Sequence, residues 1–568
     1  MPSPHPDHRY RSPSLAARVI IIAAINLLSA GSAWCVSDAA RQIIQLAERI
    51  DREIESQNAD RLPRQTLSDA GYLRRVTLDL AGRIPTIAEI KQYEDLDLPD
   101  KRLQVTTSLI QSPDFAYHQR NELDTFLLRP LNHDREWRSY LLEATKENRP
   151  WDSVFREIMT PEETRPEDLR PTAFLKHRLG DLDKLANDSS VIWFGVNIGC
   201  AKCHDHPLVD DWKQEHYYGI SSFFKRTYRS KKGLIGERFD GKVKFDTTSG
   251  ESKDADFMFL TGTKVTEPEL SLDAEVLKQY QEQIKKAEQD DAAETPPQPL
   301  FRPRQQLVDL ALSDQQQRFF AKNIVNRTWA RLFGRGIVHP LDQIHSGNPA
   351  SHPTLLAILT DDFINSGYNV QRLIHAITLS VAYAQALPIT ESDSPSHGEN
   401  KLENQSDRGI RYFQHAEPRP LSPHQLSLSL LIATGNPEKT AEQISNPDWE
   451  QDRGKLEERS EGLAQKLEIP GENFQVPVSE ALWFSNSSEM QNQYLGGGKD
   501  HLVGYLNEIE DPSAIISQAM FATLGREATS EEQVVLSKYF EQRNEQRVDT
   551  IKNIVWALVC SPEFRFNH

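Results

Sequence analysis

The feature that most constrains this chain is a short run that contains two of its four cysteines, Gly199-Cys-Ala-Lys-Cys-His204. Cys-x-x-Cys-His is the attachment signal of c-type haem, and two thiols at this spacing reach the two vinyl groups of one porphyrin. The histidine that follows offers an imidazole nitrogen to the iron as its proximal ligand. We therefore predict one covalent haem c, bound through Cys200 and Cys203, with its iron held by His204.

A zinc ion is the alternative cofactor for the same residues. Zinc takes four nitrogen or sulfur ligands, and Cys200 and Cys203 supply two of them. The remaining ligands would come from three nearby histidines, His204, His206 and His216. The chain has no second Cys-x-x-Cys pair, so such a site would be irregular. A redox disulfide between the two cysteines is a further alternative, although no thioredoxin-like βαβ pattern surrounds them.

The sequence does not specify the distal iron ligand. Met258 and His177 are candidates, and an open sixth position is also compatible with the motif. A buried haem needs an apolar wall, and large apolar residues flank the motif on both sides. The residues predicted to form this wall are Trp193, Phe194, Val196, Ile198, Trp212, Tyr217, Tyr218, Phe223 and Phe224.

The N-terminus has the pattern of an export signal over residues 1–33. Three arginines precede an apolar run at residues 19–28, and small residues lead up to Ala33. The run is short for a transmembrane helix, which needs about 20 apolar residues. We expect a cleaved signal peptide, with a retained N-terminal anchor as the alternative. Either one places the chain in the periplasm or cell envelope, where covalent haem attachment takes place.

The net charge and composition of the chain indicate which classes of partner it can bind. The formal net charge of −18 argues against a nucleic-acid partner, because phosphate backbones are bound by basic surfaces. Hydrophobic residues make up 38% of the chain and charged residues 26%, which is typical of a globular protein. We expect membrane contact only through the N-terminal segment, if that segment stays uncleaved.

Hydrophobic periodicity predicts a mainly α protein, with two helical domains and a small β insertion between them. Ser37 or Asp38 is expected to cap a helix whose apolar residues recur at helical spacing from Ile43 to Ile54. Residues 242–248 alternate like a strand, and Pro-rich residues 294–299 read as a linker. The predicted segments are the signal peptide or anchor (1–33), a helical domain with the cysteine motif (38–228), the β insertion (229–270), a helical and Pro-rich linker (271–300) and a C-terminal helical domain (301–568).

Three runs of the sequence resemble a known family. They are Leu73-Arg-Arg-Val-Thr-Leu-Asp-Leu-Ala-Gly-Arg-Ile-Pro85, Cys200-Ala-Lys-Cys-His-Asp-His-Pro207 and Asn326-Arg-Thr-Trp-Ala-Arg-Leu-Phe-Gly-Arg-Gly-Ile-Val-His-Pro340. The chain resembles the planctomycete exported cytochrome-like family, which combines planctomycete cytochrome C domain 2 (domain of unknown function 1549) with planctomycete-specific domain 1 (domain of unknown function 1553). The resemblance implies haem ligation at the three motif residues. It also implies a companion exported protein, encoded nearby, as a partner.

Polar side chains crowd one stretch of the second half. They are Asn326, Arg327, Arg331, Arg335, His339, Asp342, His345 and His352. One interpretation is a substrate site for an anionic sugar. The other is a buried polar network that fixes the loop between two helices, because buried polar groups must be paired.

These observations lead to one expected function and two alternatives. We expect an exported c-type cytochrome-like protein with one haem, which exchanges electrons with an unknown redox partner. The first alternative is a non-redox envelope binding or scaffold protein with a structural Cys/His zinc site. The second is a haem oxidoreductase that acts on an unknown small substrate, with its site in the loop 335–352. The sequence alone does not decide whether the chain is an enzyme.

Overall fold

The computed structural model of the chain describes residues 37–57, 65–128, 134–161, 166–205, 209–269, 273–387, 410–471 and 475–568. The predicted export segment (1–33) lies outside these residues, and so does His206. Within the described ranges, no helix is both long and apolar enough to cross a membrane.

Helices dominate the first half of the chain, as the periodicity predicts. They are α1 (Asp38–Ser56), α2 (Asp69–Ala81), α3 (Ile87–Glu94), α4 (Lys101–Gln111), α5 (Pro113–Leu128), α6 (Arg135–Lys146), α7 (Trp151–Met159), α8 (Ala173–Lys176), α9 (Leu182–Phe194) and α10 (Gln214–Phe224). Two 3₁₀ helices, Pro166–Thr172 and Gly199–Lys202, interrupt this series. Helix α1 begins where its pattern indicates, since the Ser37 side chain accepts a hydrogen bond from the Ala40 N–H.

The predicted β insertion is present as three antiparallel pairs of short strands. They are β1 (Thr227–Arg229) with β2 (Ile235–Glu237), β3 (Lys244–Asp246) with β4 (Ser252–Asp254), and β5 (Phe257–Met258) with β6 (Lys264–Val265). Each strand spans three residues or fewer, so the insertion is a set of hairpins on a helical body.

The second half is again helical. Its helices are α11 (Ala274–Gln289), α12 (Pro303–Ser313), α13 (Phe319–Phe333), α14 (Pro353–Asn365), α15 (Val370–Leu379), α16 (Pro423–Thr434), α17 (Pro437–Ile444), α18 (Trp449–Ala464), α19 (Val478–Asn486), α20 (Leu502–Asn507), α21 (Pro512–Leu524), α22 (Ser530–Gln542), α23 (Arg547–Val559) and α24 (Pro562–Arg565). A π-helical turn at Met490–Tyr494 and a 3₁₀ turn at Asn544–Gln546 also lie in this half. One further pair joins β7 (Arg419–Pro420) to β8 (Phe566–Asn567), close to the C-terminus.

Hydrophobic packing crosses the predicted linker. One buried cluster runs from Leu46 to Phe413, and the ring centroids of Phe155 and Phe320 are 4.7 Å apart within it. A second cluster contains C-terminal residues together with Leu78 of α2. The two halves of the chain therefore share their cores, while the exact segment boundaries stay a prediction.

A buried carboxylate joins α2 to the C-terminal part of the chain. Asp79 is 3% exposed and accepts hydrogen bonds from the Tyr383 hydroxyl (2.6 Å) and from the Asn567 amide (2.9 Å). Both oxygens of the same carboxylate accept from the terminal nitrogens of Arg419, at 2.9 and 2.7 Å. Asp79 therefore holds three residues that lie far from it along the chain.

Candidate functional site

The cysteine motif lies on the surface, in the connection between α9 and α10. Helix α9 ends at Gly195, whose φ of +68° lets the chain turn sharply. A Cβ at this position would lie 2.6 Å from Ile344 Cδ1, so the turn packs closely against the second half of the chain. Cys200 lies in the 3₁₀ helix Gly199–Lys202, Cys203 and His204 follow it, and all three residues are exposed.

Residues of α10 and α9 hold the motif between its two cysteines. The Lys202 carbonyl accepts hydrogen bonds from the Tyr218 hydroxyl (3.0 Å) and the Gln214 side-chain amide (3.4 Å). The Lys202 ammonium pairs with Asp183 at 2.5 Å. Asp183 also accepts a hydrogen bond from the Tyr217 hydroxyl at 2.6 Å, and burial with this bond raises the pKa of Tyr217. Lys202, which lies between the two cysteines, is therefore held through both its backbone carbonyl and its side chain.

One nitrogen of the His204 ring has a hydrogen-bond partner that determines which nitrogen is available to a metal. Its Nδ1 lies 2.7 Å from the Asp205 carbonyl oxygen, which can only accept a hydrogen bond. Nδ1 therefore carries the proton, and Nε2 keeps its lone pair for a metal. A histidine whose Nδ1–H is donated to a carbonyl in this way is also a more basic ligand.

His216, one of the alternative zinc ligands, is in the opposite form. The Lys213 N–H donates to its Nδ1 at 3.1 Å, within the first turn of α10. In neutral His216 the proton then lies on Nε2, so neither nitrogen offers a lone pair unless the helix cap is broken. Burial lowers the pKa of His216, which keeps the ring neutral.

The donor set contains the groups that a covalent haem needs, and His206, one of the alternative zinc ligands, lies outside the described residues. Zinc needs four ligand atoms at about 2.0–2.3 Å, so its ligands must converge on one point. In the part of the chain that the structure describes, no group of three or more His, Cys, Asp or Glu side chains is close enough to hold a metal ion. Haem attachment requires two separate thiols and one imidazole lone pair instead, and Cys200, Cys203 and His204 supply these.

The residues predicted to form an apolar wall for the haem do not line an open surface beside the motif, so this expectation is corrected. Eight of its nine residues are buried in the core of the protein itself, and Tyr218 is half-buried. The Trp193 ring, for example, packs against Phe155 at 4.7 Å and Trp151 at 5.5 Å. These residues flank the motif in the sequence, but in the structure their side chains pack inside the protein, as Trp193 of α9 does against α7. They form part of the core on which the motif lies, and the motif itself stays exposed.

The two candidates for the distal ligand have different surroundings. Met258 is 4% exposed, and a Cβ built on Gly219 would lie 2.7 Å from its Cβ, so this methionine packs tightly against α10. His177 follows α8 and is exposed. Neither placement identifies the distal ligand, and it stays an open prediction.

A loop of the second half packs against both ends of the motif segment, which the sequence did not reveal. The Asn197 N–H donates to the Asp342 carbonyl at 2.8 Å, and the Ile344 N–H donates to the Gly195 carbonyl at 3.0 Å. On the other side of the motif, the Ser346 N–H and hydroxyl donate to the carboxylate of Asp211 at 2.8 and 2.6 Å. The motif is thus carried on a segment whose two ends are clamped by residues 342–346.

The crowded polar residues of the second half have separate hydrogen-bond partners. The Asn326 side chain donates to the Val338 carbonyl (2.8 Å) and accepts from its N–H (2.9 Å). Further contacts lead away from one another: Arg327 to Asn323 and Val191, Arg331 to Gln119, Asp342 to Asn197, His345 to Gln343, and His352 to Ser351. Burial lowers the pKa of His352 to about 4. These contacts disperse the set over several structural roles.

Two family models match the chain. PSCyt2, a protein of unknown function (DUF1549), matches residues 48–229, and PSD1, a protein of unknown function (DUF1553), matches residues 303–476. The chain belongs to the family that combines these two domains. The resemblance drawn from the three sequence runs is therefore confirmed. No curated protein and no solved structure matches the chain.

The matched ranges assign the motif and the loop that contacts it to different domains. The Cys200–His204 motif lies in the PSCyt2 domain, and the loop 342–346 lies in the PSD1 domain. The hydrogen bonds that clamp the motif segment are therefore contacts between the two domains.

Proposed function

We propose that this chain is an exported c-type cytochrome-like protein that carries one covalent haem and exchanges electrons with a redox partner. The thiols of Cys200 and Cys203 would each add across one vinyl group, and His204 Nε2 would bind the iron. The observation that carries the proposal is the 2.7 Å contact between His204 Nδ1 and the Asp205 carbonyl oxygen, next to two exposed free thiols.

Each residue of the motif has a defined part in this chemistry. Addition of a thiol across a vinyl group forms a C–S bond, places the thiol hydrogen on the neighbouring carbon and needs no leaving group. When bound, the haem supplies a one-electron couple between ferric and ferrous iron. The Asp205 carbonyl lies within hydrogen-bond distance of His204 Nδ1 and would leave Nε2 available to the iron.

The surface position of the motif supports electron exchange with another molecule. A partner can approach Cys200, Cys203 and His204 directly, because all three side chains are exposed. The partner itself is proposed only as an unknown redox protein, with a companion exported protein as the first candidate. Location in the periplasm or cell envelope rests on the pattern of residues 1–33 and on the need for haem attachment after export.

The proposal is tested by expressing the chain in a host that exports proteins and matures cytochromes c. After acid–acetone extraction, the denatured chain should retain a haem with a c-type pyridine haemochrome spectrum. A Cys203→Ala variant should keep one thioether at most and shift the spectrum, and His204→Ala should lose normal proximal ligation.

Cys560→Ala is the matched control. Burial raises the pKa of the Cys560 thiol to about 11, so this cysteine is unreactive and its loss should leave the spectrum unchanged. Wild-type protein without haem would refute the proposal. Stoichiometric zinc in its place would instead identify a structural Cys/His site, and carbon monoxide binding to a loaded haem would favour an oxidoreductase.

A further inference from the structure

His204 is exposed, and an exposed side chain ordinarily samples several rotamers, yet its ring has a fixed support. The Asp205 carbonyl accepts the Nδ1 proton, and the Asp205 carboxylate accepts the backbone N–H of Gln214 at 3.2 Å. Gln214 is the first residue of α10, so the carboxylate is tied to the start of a rigid helix. The residue that orients the His204 ring is thereby anchored at a second point.

The Gln214 side chain extends this support to the other end of the motif. Gln214 is 7% exposed, and its amide donates to the Lys202 carbonyl at 3.4 Å. Its amide oxygen accepts the backbone N–H of Thr248 at 3.1 Å, in the turn between β3 and β4. The residues immediately before Cys203 and after His204 are therefore bound to the same glutamine, which the β insertion holds in place.

We infer that Asp205 and Gln214 are positioning residues that fix the orientation and basicity of His204 as the proximal iron ligand. This inference rests on the proposed haem function. Partners of this kind raise the basicity of a ligating histidine and commonly change metal affinity or activity when they are altered. A firmly held Nδ1–H···O bond makes the imidazole a stronger electron donor, which stabilises ferric iron and lowers the midpoint potential of the haem.

The test compares three variants of the full-length, haem-loaded protein by redox titration. Asp205→Ala removes the anchor, Asp205→Asn keeps an oxygen that accepts the Gln214 N–H, and Asp210→Ala removes one negative charge from an exposed position in the same segment. We expect Asp205→Ala to raise the midpoint potential above both other variants. Asp205→Asn should raise the potential less than Asp205→Ala, because it removes the same charge but keeps the acceptor for the Gln214 N–H, and Asp210→Ala shows the size of a charge effect alone.

A second variant covers the case in which Asp205→Ala loses its haem. Gln214→Leu removes the contacts to Lys202 and Thr248 but keeps the backbone N–H for Asp205, and it should raise the potential in the same direction. The inference is wrong if Asp205→Ala titrates at the same potential as Asp205→Asn, or Gln214→Leu at the same potential as the wild type, while the wild type carries covalent haem. A wild type without covalent haem overturns the proposed function instead, and the inference with it.

Discussion

Removal of the buried carboxylate of Asp79 should destabilise the protein far more than the loss of an ion pair on its surface. Four hydrogen bonds of 2.6–2.9 Å converge on this carboxylate, from Tyr383, Arg419 and Asn567. Asp79→Ala would leave the guanidinium of Arg419 without its counter-ion next to the hydrophobic core. The loss would act at the junction between α2 and the C-terminal part of the chain.

The expected size follows from the burial of the pair. Breaking a buried ion pair by removing one partner costs about 3–5 kcal/mol, because the remaining charge is left uncompensated. Asp79 is 3% exposed, and the side chain of Arg419 is 15% exposed, so the upper half of this range applies. Asp79→Asn keeps the shape and one acceptor oxygen, and its cost should lie between that of Asp79→Ala and that of a surface change.

Urea unfolding followed by far-ultraviolet circular dichroism measures the effect, as the shift in midpoint multiplied by the slope. Asp69→Ala is the matched control on the same helix. Asp69 pairs with Lys101 at a site where the Asp69 side chain is 44% exposed, and such pairs contribute about 0.2–1 kcal/mol. If Asp79→Ala cost no more than Asp69→Ala, the argument that Asp79 joins the two halves would be wrong.

Two further predictions concern protonation and packing. Burial lowers the pKa of His375 to about 4, whereas an unfolded histidine titrates near 6.5, so the unfolded chain binds this proton first as the pH falls. Its contribution to the free energy of unfolding, up to about 3 kcal/mol, is fully present above pH 6.5 and lost towards pH 4. The difference in the free energy of unfolding between pH 7 and pH 5, measured by urea unfolding, should therefore be smaller for His375→Gln than for the wild type. Gly219→Ala places a Cβ 2.7 Å from Met258 Cβ and should cost about 1–3 kcal/mol in thermal unfolding. Gly462→Ala, with nothing within 4 Å, should instead stabilise the protein by about 0.4–1 kcal/mol, and equal effects of the two changes would contradict the packing at Gly219.

Local sequence patterns predicted the elements of the fold well. The spacing of apolar residues from Ile43 to Ile54 and the polar Ser37 before them predicted α1, and the Ser37 cap is present. The alternation at residues 242–248 predicted a strand, which the structure shows as β3 (Lys244–Asp246). Such features depend on hydrogen bonds and side-chain directions within a few residues, so the sequence contains all that decides them.

Local patterns did not predict the contacts between residues that are far apart along the chain. Nothing near Arg419 indicates that it lies beside Phe566–Asn567 in a strand pair or that its guanidinium meets Asp79. The clamp of residues 342–346 on the motif segment is of the same kind. These contacts join residues far apart along the chain, and the packing of all the intervening helices decides them.

The sequence by itself determined the mainly helical fold and the family to which the chain belongs. It also fixes the residue types and the spacing of Cys200, Cys203 and His204, on which the proposed haem attachment rests. Only the tertiary structure decided that the flanking aromatic residues turn into the core and that the motif stays exposed. It also placed the Asp205 carbonyl oxygen 2.7 Å from Nδ1 of His204, a contact that favours the tautomer with its proton on Nδ1 and its lone pair on Nε2.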